Sequence, residues 1–211
     1  MISLSPNSWL SVIPHAVPCT TIQFDELWSQ CPTVKQRFKF YGKEVEMPRF
    51  QRLYGEARYS FSGITLTPTP ELPPLVQRCM DRAKQLYPIY HWGGALVNFY
   101  PDGQSYISPH ADSEFDLVEG APILSFSFGG ERTFQLKHKK EEDGASAYVK
   151  DIKLPTHHES LIMMGGDTQK EFLHGVPKQA KGEPRINITV RCFRQADAKR
   201  QKLVEEENKN S

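Results

Sequence analysis

The stretch from residue 94 to residue 193 constrains the fold most, because short apolar or alternating segments follow one another there with only brief polar connections. These segments have the length and the two-residue period of β-strands, and they lie at 95–100, 123–128, 133–138, 148–154, 160–164 and 185–193. Strands in this number and spacing predict a β-sandwich or barrel. Ahead of them, the sequence predicts helices at 21–31 and 73–87 and a hairpin over 37–46.

The size and charge of the chain exclude several classes of protein. Its 211 residues suit one domain with its own core. With 26 Lys and Arg against 25 Asp and Glu, bulk positive charge cannot hold the protein on nucleic acid or on a membrane. The sequence shows neither an apolar run of transmembrane length nor the pattern of a signal peptide. Its four cysteines are far apart and form no CxxC motif, which predicts reduced thiols in an intracellular protein.

A local excess of positive charge lies between residues 34 and 58, where seven Lys and Arg residues are accompanied by only three Glu residues. Aromatic residues are interleaved with these charges or follow closely: Tyr41, Phe50, Tyr54, Tyr59 and Phe61. One interpretation is an edge hairpin that its charges protect from further pairing. The other is a nucleic-acid surface, on which cations meet phosphates and rings meet bases. The charge pattern alone leaves both open.

The sequence His110-Ala111-Asp112 suggests a metal site, because residues two apart on extended backbone point to the same side. A third ligand must then come from another segment. Of the remaining histidines, His174 is the best candidate, since it follows a short apolar run on a late strand that barrel pairing can bring beside His110. Two His and one carboxylate leave open positions on the metal, as in Fe(II) oxygenases.

The strand after His174 has one polar and one apolar face. Its polar face contains Arg185, Asn187, Thr189 and Arg191. This face is either exposed to solvent or turned into the lumen of a barrel. If it is enclosed, the arginines need anionic partners. The two arginines could bind the two ends of a short dicarboxylate. Alternatively, one could bind a dicarboxylate and the other the acidic metal ligand. This strand and the metal motif together imply iron and a 2-oxo diacid.

Four motifs together carry a family resemblance over residues 35–193. They are Asn98-Phe99-Tyr100-Pro101-Asp102-Gly103, then His110-Ala111-Asp112-Ser113-Glu114, then His174, and Arg185-Ile186-Asn187-Ile188-Thr189-Val190-Arg191. This set resembles the AlkB family of Fe(II)/2-oxoglutarate dioxygenases. Shorter segments resemble the DNA-repair branch of the animal AlkB homologues, at 40–43, 47–49, 54–56, 59–63 and 160–164.

The resemblance implies a mainly β fold with flanking helices, built on a double-stranded β-helix, or jelly roll. We therefore expect one dioxygenase domain at 1–193, with a nucleotide-recognition lid at about 35–65 and a jelly-roll core at about 94–193. The charged segment 194–211 is expected to be a tail.

The resemblance also implies roles for single residues. Iron is expected on His110, Asp112 and His174, and 2-oxoglutarate, used with O₂, on Asn98, Tyr100, Arg185, Asn187 and Arg191. Phe61 is expected to stack on a flipped base, Glu114 to read its edge and Tyr41 to fill the gap left in the duplex. Arg49 and Tyr59, within matching segments, complete the expected substrate-binding set.

The implied activity is oxidative demethylation of N-alkylated bases in DNA, with release of formaldehyde, succinate and CO₂. The same chemistry on methylated RNA is the first alternative. A protein side-chain hydroxylase and a non-catalytic cupin-like binding module are further alternatives. We expect a monomer that binds nucleic acid and no membrane, in the nucleus if the organism is eukaryotic and otherwise in the cytoplasm.

Overall fold

The computed structural model describes residues 1–40, 42–61, 63–112, 116–139, 151–194 and 196. Its strands are, in chain order, β1 (Ile2–Ser3), β2 (Ser8–Ile13), β3 (Arg37–Phe40), β4 (Lys43–Glu46), β5 (Phe50–Gly55), β6 (Tyr59–Phe61), β7 (Ile64–Leu66), β8 (Gly94–Tyr100), β9 (Ile107–His110), β10 (Ile123–Gly129), β11 (Arg132–His138), β12 (Ile152–Thr156), β13 (Ser160–Gly166), β14 (Phe172–Val176) and β15 (Arg185–Arg191). Its helices are α1 (Thr21–Trp28), α2 (Pro74–Leu86) and α3 (Thr168–Glu171).

Two antiparallel sheets form the body of the protein. The large sheet has seven strands in the order β1-β2-β13-β10-β15-β8-β5, and the small sheet has four in the order β12-β11-β14-β9. β3 pairs with β4 and β6 with β7 as separate hairpins. One apolar core contains Leu96 and Ile162 of the large sheet together with Phe134 and Phe172 of the small sheet. The predicted mainly β fold with a jelly-roll core is confirmed.

The large sheet is buried on both faces, which explains the sequence of β15. Its apolar residues Ile186, Ile188 and Val190 belong to an outer core that includes Leu75 and Val76 of α2. The alternating polar residues therefore lie on the other face, between the two sheets. All seven residues of β15 are buried. Of the two interpretations of this strand, the enclosed one is correct.

A row of polar side chains crosses the inner face of the large sheet. The strand register places Gln51 opposite Asn98 and Asn98 opposite Asn187. Asn187 is in turn opposite Ser127, and Ser127 opposite Ser160. Because residues in register on one face of a sheet lie side by side, five strands contribute to one continuous polar floor.

The large sheet includes strands from outside the 94–193 range that was expected for the jelly-roll core. β2 pairs with β13 on one side, and β5, from within the expected lid, pairs with β8 on the other. Gly165 makes the first pairing possible, since a Cβ there would lie 2.1 Å from Cζ2 of the Trp9 ring. The sequence did not predict β1, β2, β5 or β9.

The predicted helices and hairpin are present with small shifts at their ends. α1 begins with a capping box between Thr20 and Gln23 and ends at Trp28, three residues before its expected end. The hairpin of β3 and β4 turns at Gly42, whose φ of +76° suits glycine. The first part of the strand expected at 148–154 lies outside the described residues, and so does nearly all of the expected tail.

Cys19, Cys31, Cys79 and Cys192 are free thiols. Of the helices within the described ranges, each is too short or too polar to span a bilayer.

Candidate metal centre and its cavity

His110, Asp112 and His174 come together between the two sheets. His110 ends β9 and is directly opposite His174 in the antiparallel pairing of β9 with β14. The two imidazole centroids are 4.4 Å apart. Asp112 follows two residues after His110, and one ligand atom from each of the three residues lies within 4.8 Å of the others. The predicted juxtaposition of His174 with the His110–Asp112 pair is confirmed.

The two histidines have the chemistry that a metal ligand needs. Nδ1 of His110 is 2.9 Å from the backbone oxygen of Ser108. If Nδ1 donates its proton to that oxygen, Nε2 keeps a free lone pair for a metal. Nε2 lies 3.6 Å from Oδ1 of Asp112. Burial, with a smaller effect of His110, lowers the pKa of His174 to about 3, so that its ring is neutral. Its Nδ1 is buried without a hydrogen-bond partner among the described residues.

Asp112 is held as a buried carboxylate by Arg191. Nε and Nη2 of Arg191 both lie 2.7 Å from Oδ2 of Asp112. Burial, the largest single effect, would raise the pKa of Asp112, but the Arg191 guanidinium together with His110 and His174 outweighs it and holds this pKa well below its usual range. The other oxygen, Oδ1, accepts a 3.3 Å hydrogen bond from the Tyr59 hydroxyl and faces His110. Two imidazoles and one carboxylate fit Fe(II).

A cavity of about 830 Å³ extends from these three residues between the sheets. It is lined by all five residues expected to bind 2-oxoglutarate: Asn98, Tyr100, Arg185, Asn187 and Arg191. Leu96, Phe134 and Met164 add an apolar wall. The volume leaves space beside a small diacid for a further, bulkier group.

Arg185 is a buried cation that lacks an anionic partner among the described residues. Only 1% of its surface is exposed, and its guanidinium carbon lies 4.9 Å from the centre of the Tyr100 ring. Nη2 donates a 3.0 Å hydrogen bond to the hydroxyl of Ser127, while Nε and Nη1 have no hydrogen-bond partner in the part of the chain that the structure describes. Because a buried charge without a counter-ion is costly, the site fits a carboxylate of the expected diacid.

An oriented chain of side-chain amides forms the floor of the cavity. Arg49 Nε and Gln51 Nε2 donate to Oδ1 of Asn98, at 2.8 and 2.9 Å. Nδ2 of Asn98 faces Oδ1 of Asn187 at 3.4 Å, and Nδ2 of Asn187 donates to the Ser125 hydroxyl at 2.8 Å. Arg49, expected to bind substrate, is thus buried against Asn98, one of the residues expected to bind the co-substrate.

Besides Arg49, the described residues of the expected substrate set lie on β6 at the cavity. Phe61 is half-buried and lines the cavity, and its ring centroid is 5.2 Å from that of Tyr59. Tyr59 itself is buried and contacts Asp112 through its hydroxyl. Tyr41 and Glu114 lie outside the described residues, so their expected roles stay predictions.

Arg132 is a buried residue near the cavity that the sequence analysis did not find. Its guanidinium donates to the backbone oxygens of Asp102, Ser105 and Pro177, at 3.0, 2.8 and 2.7 Å. It thereby fastens the loop after β8 to the loop after β14. An arginine at the first residue of a strand gives no sequence signal that separates it from a solvent-exposed charge.

Comparison with known proteins agrees with this geometry. Residues 23–191 match the family model described as 2OG-Fe(II) oxygenase superfamily. The chain is 38% identical over 159 residues to the DNA oxidative demethylase ALKBH2 of Homo sapiens, which covers 74% of this chain and 60% of that protein. It is 36% identical over 147 residues to the alpha-ketoglutarate-dependent dioxygenase alkB homolog 3 of Mus musculus, covering 68% of this chain and 51% of the relative.

The chain thus spans between half and two thirds of the length of these curated relatives. Among solved structures, that of OsALKBH1 superposes with a TM-score of 0.53 at 17% identity, over 86% of this chain and 96% of the other. At that identity the match supports the shared fold.

Replacing His174 with alanine should abolish divalent-metal binding while the protein stays folded. Removing a residue that only hydrogen-bonds to a metal ligand already lowers metal affinity about 10–100-fold. Removing the ligand itself should therefore raise the Kd for Mn(II) by more than about 100-fold. Titration followed by the EPR signal of free Mn(II) measures this. His157→Ala is the matched control, since the exposed His157 side chain contacts Glu131 and does not belong to the described lining of the cavity. Near-normal affinity in His174→Ala would remove His174 from the ligand set.

Proposed function

Since the chain belongs to the 2OG-Fe(II) oxygenase superfamily, we propose that it oxidatively removes alkyl groups from nucleobase nitrogens in DNA. The observation that carries the proposal is one cavity with two ends. A His–Asp–His cluster lies at one end, and at the other lies the guanidinium of Arg185, which has no anionic partner among the described residues. The relatives named DNA oxidative demethylase ALKBH2 supply the substrate class.

Fe(II) with 2-oxoglutarate and O₂ supplies oxidation of an unreactive C–H bond, with conversion of 2-oxoglutarate to succinate and CO₂. His110, Asp112 and His174 would hold the iron. Once its alkyl carbon is hydroxylated, an N-methyl base loses formaldehyde and regains its normal nitrogen. The protein's own residues must bind the diacid, position the base and exclude water.

The polar floor and Arg185 would bind the diacid. Nε and Nη1 of Arg185, which have no partner among the described residues, can donate charge-assisted hydrogen bonds to carboxylate oxygens. Asn98 and Asn187 are immobilised by their mutual chain of hydrogen bonds, so the floor is organised before the diacid arrives. Arg191 orients Asp112 rather than the diacid through Nε and Nη2, and its buried Nη1 has no partner among the described residues.

The β6 hairpin would present the base. A base must leave the duplex to reach a buried iron, which costs a few kcal/mol and costs least for a damaged base that pairs poorly. The half-buried ring of Phe61 lies on the cavity wall, where it can stack on such a base. Two cations of the basic segment make ion pairs with Glu44 and Glu46, and the exposed Lys43 and Arg58 of the same segment can contact phosphates. Monomeric state and cellular location stay predictions.

The direct test is mass spectrometry of matched oligonucleotides incubated with the protein, Fe(II) and 2-oxoglutarate. We expect methylated DNA to lose the mass of one CH₂ group, because a hydrogen replaces the methyl group on the nitrogen, with an equal amount of succinate formed. Methylated RNA of the same sequence and a lysine peptide serve as the other two substrates. Turnover of the RNA alone would indicate that RNA is the substrate. Turnover of the peptide alone would indicate a protein hydroxylase. Absence of succinate with all three would contradict an oxygenase.

Arg185→Lys should raise the KM for 2-oxoglutarate by at least about tenfold, because the compact ammonium group of lysine cannot reproduce the planar array of donors of a guanidinium. Succinate formation at varied 2-oxoglutarate gives the value. Arg37→Lys, on the exposed β3–β4 hairpin, is the control and should leave KM unchanged. An unchanged KM in Arg185→Lys would show that the diacid binds elsewhere in the cavity.

Phe61→Ala should weaken binding of an alkylated oligonucleotide by about 1–3 kcal/mol, the usual contribution of one stacked base. Its melting temperature should change little, because the ring is only half-buried. Phe50→Ala is the matched control: Phe50 is also half-buried but packs against the outer core. That variant should lose about as much stability as Phe61→Ala and keep its affinity for the oligonucleotide. A Phe61 variant that behaves like the Phe50 variant would make Phe61 a packing residue.

A further inference from the structure

We propose that Gln169 is the positioning residue for Asp112, setting the place of the carboxylate ligand by holding its peptide group. The proposal rests on the iron site of the proposed function. Gln169 lies on the short helix α3, between β13 and β14. It is absent from the described residues that line the cavity, so we expect it to act through Asp112 alone.

The peptide of Asp112 needs a partner from outside the sheets. β9 ends at His110, and Asp112 lies two residues beyond it, where the described part of the chain has left the strand ladder. The backbone N–H of Asp112 donates instead to the side-chain oxygen Oε1 of Gln169, at 2.9 Å. A buried N–H without an acceptor costs about 1–3 kcal/mol, so this bond ties the ligand's backbone to Gln169.

The orientation of the Gln169 amide follows from its neighbours. An N–H of Asp112 requires an oxygen opposite it, which assigns Oε1 to that side. The amide nitrogen then points towards Sδ of Met164, at 3.6 Å. A thioether is a weak acceptor, so the bond to Asp112 is the stronger of the two contacts.

α3 is a firm support, because several bonds fix it to the large sheet. The Thr168 hydroxyl contacts the backbone oxygens of Gly165 and Trp9, at 2.5 and 3.2 Å. Nζ of Lys139 donates to the backbone oxygen of Gln169 at 2.7 Å. The carboxylate of Glu171 accepts hydrogen bonds from the hydroxyls of two N-terminal serines, at 2.5 and 2.6 Å.

Helix α3 is also followed directly by the strand that contains His174. α3 ends at Glu171, and β14 begins at the next residue with His174 as its third. Gln169 therefore connects the segment of Asp112 to the segment of His174. Arg191 and Tyr59 hold the carboxylate of Asp112, whereas Gln169 holds its backbone. Without the Gln169 bond, the carboxylate could stay on Arg191 while its peptide turns away from His110.

The test compares Mn(II) binding, by the EPR signal of free Mn(II), in the wild type and three variants. Gln169→Met keeps the shape of the side chain and removes the acceptor, so its Kd for Mn(II) should rise about 10–100-fold. Gln169→Glu keeps an oxygen acceptor and should stay within about threefold of the wild type. Gln77→Met, the same substitution on the exposed side of α2, should bind Mn(II) as the wild type does.

Unchanged affinity in Gln169→Met overturns the proposal, and so does equal loss in Gln169→Met and Gln169→Glu, which would indicate packing of α3 instead. Failure of the wild type to bind Mn(II) would overturn both the iron site and this role. A wild type that binds Mn(II) but demethylates nothing would contradict only the proposed function. If Gln169→Met does not fold, amide hydrogen exchange of Asp112 in the wild type decides. Protection of at least about tenfold supports the bond, and unprotected exchange overturns it.

Discussion

The ion pair between Asp112 and Arg191 is the contact on which the site depends. It joins the chain just after β9, in the small sheet, to the last residue of β15, in the large sheet. Both side chains are almost fully buried. A buried carboxylate left without a partner would become protonated and lose its value as a metal ligand. With Arg191 on one oxygen, the carboxylate stays ionised and offers the other oxygen to the metal.

That ion pair can exist because the large sheet separates apolar and polar residues between its two faces. Helices cover the outer face, so Ile186 and Ile188 pack there. The inner face is then free to hold Arg185, Asn187 and Arg191 without breaking the core. In a sheet with one face in water, the same polar residues would be solvated and would bind no ligand tightly. The cavity therefore results from covering both faces.

The sequence predicts the local patterns well and the long-range contacts poorly. Three features could be predicted because each depends on a few neighbouring residues. They are the alternation of β15, the spacing of His110 and Asp112, and the position of His174 on a late strand. The pairing of β2 with β13 was not, since a short edge strand such as Ser8–Ile13 owes its structure to its partner. The burial of Arg49 against Asn98, the loop contacts of Arg132 and the bond from Asp112 to Gln169 all join segments distant in sequence. Nothing local to these residues distinguishes them from surface polar side chains.

The three candidate ligands are held by two different means. His110 and His174 are opposite each other in one strand pair, so the backbone ladder fixes their separation. Asp112 lies beyond the end of its strand, and side chains from three other segments hold it: Arg191, Tyr59 and Gln169. Substitution of Arg191 or Tyr59 removes a contact of the carboxylate and leaves the pairing of His110 with His174 in place. The carboxylate is therefore the ligand through which the rest of the protein can adjust the metal.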